Sequence, residues 1–186
     1  MVLHCSWIGF KDAVLKVTNV ELELLRDPDM LLIIEKGIRG GISTISNRFP
    51  KANKKYMDEA YNKTKPKKYT NYLDANNLYG WAMCKPLPVS GFKWMSDFDN
   101  WKIIPCILEV DLEYPKELHD LHNDYPLAPE RLMINKVENL ITNDKEKYVI
   151  HHKNLTEYLD FGLGIKKIHR GITFKEEPWL EKYIKH

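Results

Sequence analysis

Cys106-Ile-Leu-Glu-Val-Asp-Leu-Glu-Tyr114 is the stretch that decides the fold. Leu108, Val110, Leu112 and Tyr114 fall on one face of an extended chain, and Glu109, Asp111 and Glu113 fall on the other. A strand covered on both faces has no place for a row of carboxylates, so the pattern predicts a half-buried antiparallel strand with one wet face. Working outward, Lys147 to His151 predicts a second strand and residues 165–174 a third. Between them Asn154 caps a helix that runs to Phe161, where Gly162 stops it. Glu177-Pro178 opens a last helix through Ile184. Upstream, Asp27-Pro28-Asp29 predicts a short helix over Met30 to Lys36, with Asp27 as cap and Gly37 left-handed past its end. Strands and helices mix without a βαβ rhythm, so the predicted fold class is α+β.

With 186 residues, 44% hydrophobic, 11% aromatic and 29% charged, the chain is one ordinary domain or two small ones, and disorder is excluded. The apolar run Met30 to Ile34 is far too short to span a bilayer, and the first ten residues lack the pattern of a signal peptide. A soluble intracellular protein with no membrane partner is expected. Cys5, Cys84 and Cys106 have no CxxC spacing and read as reduced thiols, neither a disulfide frame nor a zinc site. The net charge is +2, but Arg48 to Lys68 holds eight basic residues and two acids, a local +6 that leaves −4 for the rest. Residues 51–68 lack apolar periodicity and are expected to form a solvated loop. Its lysines, Lys54, Lys55, Lys67 and Lys68 among them, are interleaved with Tyr56, Tyr61 and Tyr69, so it suits either single-stranded nucleic acid or plain solvation.

Chemistry concentrates in Tyr72-Leu-Asp-Ala-Asn-Asn-Leu-Tyr-Gly80. Tyr69 to Asp74 has strand-forming residues, Asn76-Asn77 breaks them, and Leu78 to Met83 turns helically. Asp74 at a strand end is suited to a hard divalent cation, and the amides that follow are suited to phosphate oxygens. Tyr79 offers a ring for a flat or sugar-shaped ligand. The other reading of Asp74 before two asparagines is a turn former.

Tyr72 to Met83 resembles the first palm motif of B-family DNA polymerases, in the form found in the protein-primed branch of organellar plasmids, viruses and Maverick/Polinton transposons. Similarity continues through Val20 to Leu25, Asp27 to Met30, Glu35 to Gly41, residues 147–152, residues 166–170 and Pro178 to Leu180. The resemblance implies a connecting segment at residues 1–37, the first part of the palm at 38–84, a priming insertion at 85–165 and a return towards the palm at 166–186. It implies template-directed deoxynucleotidyl transfer with two Mg²⁺ ions, Asp74 as a metal-binding aspartate, and Asn77, Leu78 and Tyr79 against the incoming nucleotide. Arg39, Gly40 and Gly41 match the motif that contacts template DNA. The implied partners are DNA template and primer, deoxynucleoside triphosphates and a terminal priming protein, in the nucleus if the element is a eukaryotic transposon.

Ile38 replaces the aromatic residue of the Gly-Gly motif, Asn77 stands where many relatives carry Ser, and Gly80 where they carry Pro. The family's second metal aspartate belongs to a motif beyond His186, and its exonuclease carboxylates precede residue 1. A catalytically incompetent piece of a polymerase is therefore expected. A non-catalytic nucleic-acid-binding module and an inert remnant of a mobile element are the alternatives. Asp97-Phe98-Asp99 reads as a solvated turn, and His119 with His122 lacks a third metal ligand. His151 and His152 end a strand, where alternation predicts opposite faces.

Overall fold

The computed structural model describes residues 12–40, 51–134, 137–141 and 144–185. Helix α1 covers residues 12–18 and α2 covers Pro28–Gly37; α3 is Leu78–Met83, α4 is His152–Asp160 and α5 is Glu181–Ile184. The strands are β1 (Leu87–Trp94), β2 (Cys106–Glu113), β3 (Glu130–Ile134), β4 (Val137–Ile141), β5 (Lys145–His151) and β6 (Gly164–Glu177). Four of them form an antiparallel sheet in the order β1-β6-β2-β5, and β3 and β4 form a separate hairpin. The fold is α+β.

The alternation in β2 explains its central place. Leu108, Val110 and Leu112 are wholly buried, with Cys106, Tyr148, Ile150 and Leu155 of α4 in the same core. Cys106 sits so deep that burial pushes its thiol up to about 12, which keeps it protonated and inert. The face predicted to be wet is only partly so. Helix α2 covers one end of it, burying Met30 and Ile33 against Val149 and Ile172. Glu109 is thereby 3% exposed, held by Lys36 of α2 at 3.2 Å and Arg170 of β6 at 2.8 Å.

Helix α2 begins as expected, with the Asp27 carboxylate accepting from the Asp29 and Met30 amides. The Trp94 indole N–H donates to the other Asp27 oxygen at 2.9 Å, and this bond chiefly lowers the carboxyl below its ordinary range. The end of α2 differs from expectation. Gly37 is the last helical residue, and Ile38 leaves in extended conformation. A Cβ at Gly37 would meet Val149 Cγ1 at 2.9 Å, so glycine serves close approach of helix to strand there, not a left-handed turn.

At α4 the cap is His151, whose Nδ1 accepts from the Lys153 amide at 3.3 Å, while Asn154 lies inside the helix. Gly162, at φ +97°, ends it as predicted. The last helix is shorter than expected, since β6 continues to Glu177 and α5 starts at Glu181. Strand β1 carries no periodic signal because Pro88 and the positive-φ Gly91 interrupt it, both tolerable on an edge strand.

Residues 51–68 are more ordered than a solvated loop. Asn53 and Lys68 exchange both backbone hydrogen bonds, closing the segment into a lobe. The Asn53 side chain, 8% exposed, donates to the Asn62, Lys65 and Pro66 carbonyls and accepts from the Asn62 amide. One amide thus replaces the hydrophobic core that the lobe lacks. Asn53→Ala strands four backbone groups, each costing about 1–3 kcal/mol where water cannot replace the partner. We expect trypsin to cut at Lys54, Lys55, Lys67 and Lys68 much faster in that variant, with the cooperative melt of the sheet nearly unchanged. Equal cutting rates would show that Asn53 does not hold the lobe.

Candidate functional site

Residues 69–75 form no strand and pair with none among the described residues, contrary to the strand expected over Tyr69 to Asp74. Tyr72 is 95% exposed and Leu73 88%, with no described strand or helix covering them. Asp74 is exposed on this segment. Asn77 then adopts the left-handed conformation (φ 52°, ψ 39°) and its carbonyl accepts from the Trp81 amide at 3.0 Å, starting α3 where expected. A Cβ at Gly80 would lie 2.4 Å from Asn77 Oδ1, so glycine at 80 lets the Asn77 side chain fold over the helix start. Leu78 and Tyr79 both point to solvent, Tyr79 at 85% exposure, while Lys85 Nζ stacks 4.1 Å over Trp81.

Arg39 and Gly40 have a different support. The Arg39 guanidinium donates to the Val149 carbonyl at 2.6 Å and lies 3.8 Å over the Tyr148 ring. Burial pushes the Tyr148 phenol up to about 12, so a neutral ring receives the cation. Gly40 has nothing within 4 Å of where a Cβ would stand, which leaves its backbone open to a ligand. Both residues line a cleft of about 490 Å³ shared with Tyr125, Tyr148, His151 and Tyr158. Gly41 lies outside the described residues. Lys55, Lys67 and Lys68 are exposed on the lobe and Lys54 is half-buried, with Lys55 Nζ 5.0 Å over Tyr56. The candidate residues therefore fall into three groups: the Asp74–Tyr79 run, the Arg39–Gly40 corner on β5, and the lysine lobe.

Mg²⁺ chemistry of the two-metal kind needs several oxygens around each ion. Among the described residues, the one cluster of three ligand side chains is His151, His152 and Glu176, and Asp74 belongs to no such group. The described residues thus place no set of three ligand side chains about Asp74. Burial, with help from neighbouring His152, brings the His151 imidazole down to about 4, and burial lowers His152 as well, so both are neutral at pH 7.

The cluster contradicts the expected opposite faces of His151 and His152. Strand alternation stops at His151 and helical geometry starts at His152, so the rings meet at 4.6 Å between centroids. Glu176 is too distant in sequence for spacing to have suggested it. The signal available was the change of period between neighbours, ahead of a run ending at Gly162. His119 and His122 both pack on Tyr114: His122 Nδ1 shares a 2.8 Å hydrogen bond with the Tyr114 hydroxyl, and His119 packs edge-on against the same ring. Asp97 caps the Asp99 amide at 3.0 Å in a turn.

Comparisons with protein-family models, with curated proteins and with solved structures found no match to this chain. Among the described residues, no helix is long and apolar enough to cross a membrane.

Proposed function

We propose that the chain is a palm-and-insertion segment of a protein-primed B-family DNA polymerase. The observation that carries the proposal is the run Tyr72-Leu-Asp-Ala-Asn-Asn-Leu-Tyr-Gly-Trp-Ala-Met83, set in a wider similarity that keeps its order along the chain. Its parent reaction is template-directed deoxynucleotidyl transfer. Asp74 is assigned to metal, Asn77, Leu78 and Tyr79 to the nucleotide, and Arg39, Gly40 and Gly41 to template DNA. A terminal priming protein would be the partner, and the nucleus the site of action in a eukaryotic transposon. The exposure of Asp74, Leu78 and Tyr79 supports the assignment, since a ligand-binding run must be reachable. The chain alone is not expected to extend a primer, because among the described residues Asp74 belongs to no group of three ligand side chains.

The measurement that tests this is an NMR titration of the labelled chain with a deoxynucleoside triphosphate and Mg²⁺. Shifts are expected at the Asn77, Leu78 and Tyr79 amides and should vanish in Asp74→Ala. Shifts confined to the lysine lobe, or none, would count against the polymerase assignment.

A second reading, a non-catalytic binder of single-stranded nucleic acid, is favoured by the closed lobe with lysines turned outward. Fluorescence anisotropy on an oligonucleotide separates the two. Replacing Lys54, Lys55, Lys67 and Lys68 with alanine is expected to weaken binding at least tenfold and to flatten the salt slope by about 3, at roughly 0.7 per phosphate contact. Binding indifferent to Asp74→Ala, without nucleotide shifts, supports the module alone. Binding indifferent to the lysines removes the lobe from either account.

A further inference from the structure

The fold brings together three metal-ligating side chains that play no part in the proposed nucleotide or DNA contacts. His151 closes β5, His152 opens α4, and Glu176 reaches the same place from the far end of β6. Their ligand atoms all lie within 4.8 Å of one another, with His151 Nε2 3.8 Å from Glu176 Oε2. Donors held about 2.1 Å from a tetrahedral ion stand about 3.4 Å apart, so side-chain adjustments of about 1 Å close the set.

Two of these atoms lack what a buried polar atom ordinarily has. His152 is 5% exposed, yet its Nε2 has no hydrogen-bond partner, and neither has Glu176 Oε2. The Lys102 carbonyl faces His152 Nδ1 at 3.4 Å. A carbonyl only accepts, so that contact places the proton on Nδ1 and leaves the Nε2 lone pair bare. The same arrangement orients imidazoles in metal sites generally. Lys153 occupies the other Glu176 oxygen, Oε1, which leaves Oε2 free, and its half-exposed side chain is able to swing into water.

We infer that His151, His152 and Glu176 form a binding site for a divalent transition-metal ion, with zinc the best match. Two imidazole nitrogens and one carboxylate oxygen suit zinc far better than Mg²⁺, which takes oxygen ligands and strict octahedral geometry. Three protein ligands leave a fourth position for water or for a donor atom from a ligand. His151 also lines the cleft that holds Arg39, so the ion would stand beside that cleft. Loading His151 through Nε2 moves its proton to Nδ1 and gives up the long contact from the Lys153 amide, a weak bond exchanged for a metal–nitrogen bond.

The test is calorimetric titration of zinc chloride into the full chain after removal of metal with a chelator. One zinc per chain is expected, with micromolar affinity or tighter. Saturating zinc at a hundred times the dissociation constant should raise the melting temperature by roughly 5–10 °C. Glu176→Gln and His151→Gln, partly exposed positions chosen to preserve folding, should each weaken binding at least tenfold while far-ultraviolet circular dichroism stays unchanged. Cobalt(II) should give the strong visible bands of a four-coordinate site in the wild type and lose them in both variants. Asp74→Ala should bind zinc as the wild type does. Absence of stoichiometric zinc binding in the folded wild type, or equal affinity in both variants, would overturn the assignment.

Discussion

Leu108→Ala is expected to lower the unfolding free energy by about 3–5 kcal/mol, the upper part of the range for leucines truncated in a core. Leu108 is wholly buried in β2, between Ile150 of β5 and Gly171 of β6. The surroundings are too tight to collapse gracefully: a Cβ at position 171 would stand 2.7 Å from Leu108 Cδ2 and 2.9 Å from Met95 Sδ. For the same reason Gly171→Ala alone should cost about 1–3 kcal/mol by overpacking. The two changes are complementary, because the new methyl enters the space that the leucine vacates. The double variant should therefore lose less than the sum of the singles, with a coupling of about 0.5–3 kcal/mol. Urea denaturation of the four proteins measures it. Strict additivity would mean that Leu108 and Gly171 are not in contact, and with it the β2–β6 register would be wrong.

How much of this was legible depends on whether the information was local. The period of two in residues 106–114 announced β2 because each side chain reports its own environment. The Asp27 cap and the Gly162 stop were legible for the same reason, since each involves backbone within a few residues. What escaped depends on distant partners. Gly37 looks like a helix terminator until Val149 is placed against it. Glu109 looks solvated until α2 folds across the sheet. Tyr69 to Asp74 has strand-forming residues, yet among the described residues no strand pairs with them, and propensity without a ladder makes no strand.

The candidate site divides along the same line. Helix α3 and the turn at Asn77 follow from adjacent residues and formed where expected. The Arg39 corner was nominated by motif alone, and what holds it, the Val149 carbonyl and the Tyr148 ring, lies more than a hundred residues away. Strand alternation sets His151 and His152 on opposite faces, but the strand ends at His151 and the helix begins at His152. Such sites are invisible to spacing because the third ligand arrives through tertiary pairing, here β6 returning alongside β2.

Glu109 carries the second large effect. Its carboxylate is the joint between α2 and the sheet, with Lys36 on Oε1 and Arg170 on Oε2. Lys36 also donates to the Lys147 carbonyl, and Arg39 to the Val149 carbonyl, so the C-terminal end of α2 is fastened to β5 at successive points. Glu109→Ala leaves two cations facing each other without a counter-charge. Removing one partner of a fully buried pair costs about 3–5 kcal/mol, but Lys36 and Arg170 are half-exposed and relax into water, so about 2 kcal/mol is expected. The sign of the pH dependence follows from the carboxyl. Burial works to raise it, and the Arg170 and Lys36 bonds outweigh burial, so it sits below its ordinary value of 4.5 when folded. Its contribution is then fully present above the unfolded value and is lost as pH falls through the folded one. The stability gap between wild type and Glu109→Gln should be constant near neutrality and shrink as the pH drops below about 4.5. Urea melts at a series of pH values decide the matter, and a gap that stays level into the acid range would mean that the charge does not hold the joint. Because the same joint positions Arg39 and Gly40 at the cleft, the proposed template contact predicts that Glu109→Ala also weakens single-stranded DNA binding at a temperature where the chain is still folded, and that Glu113→Ala, an exposed carboxylate on the same strand, does not.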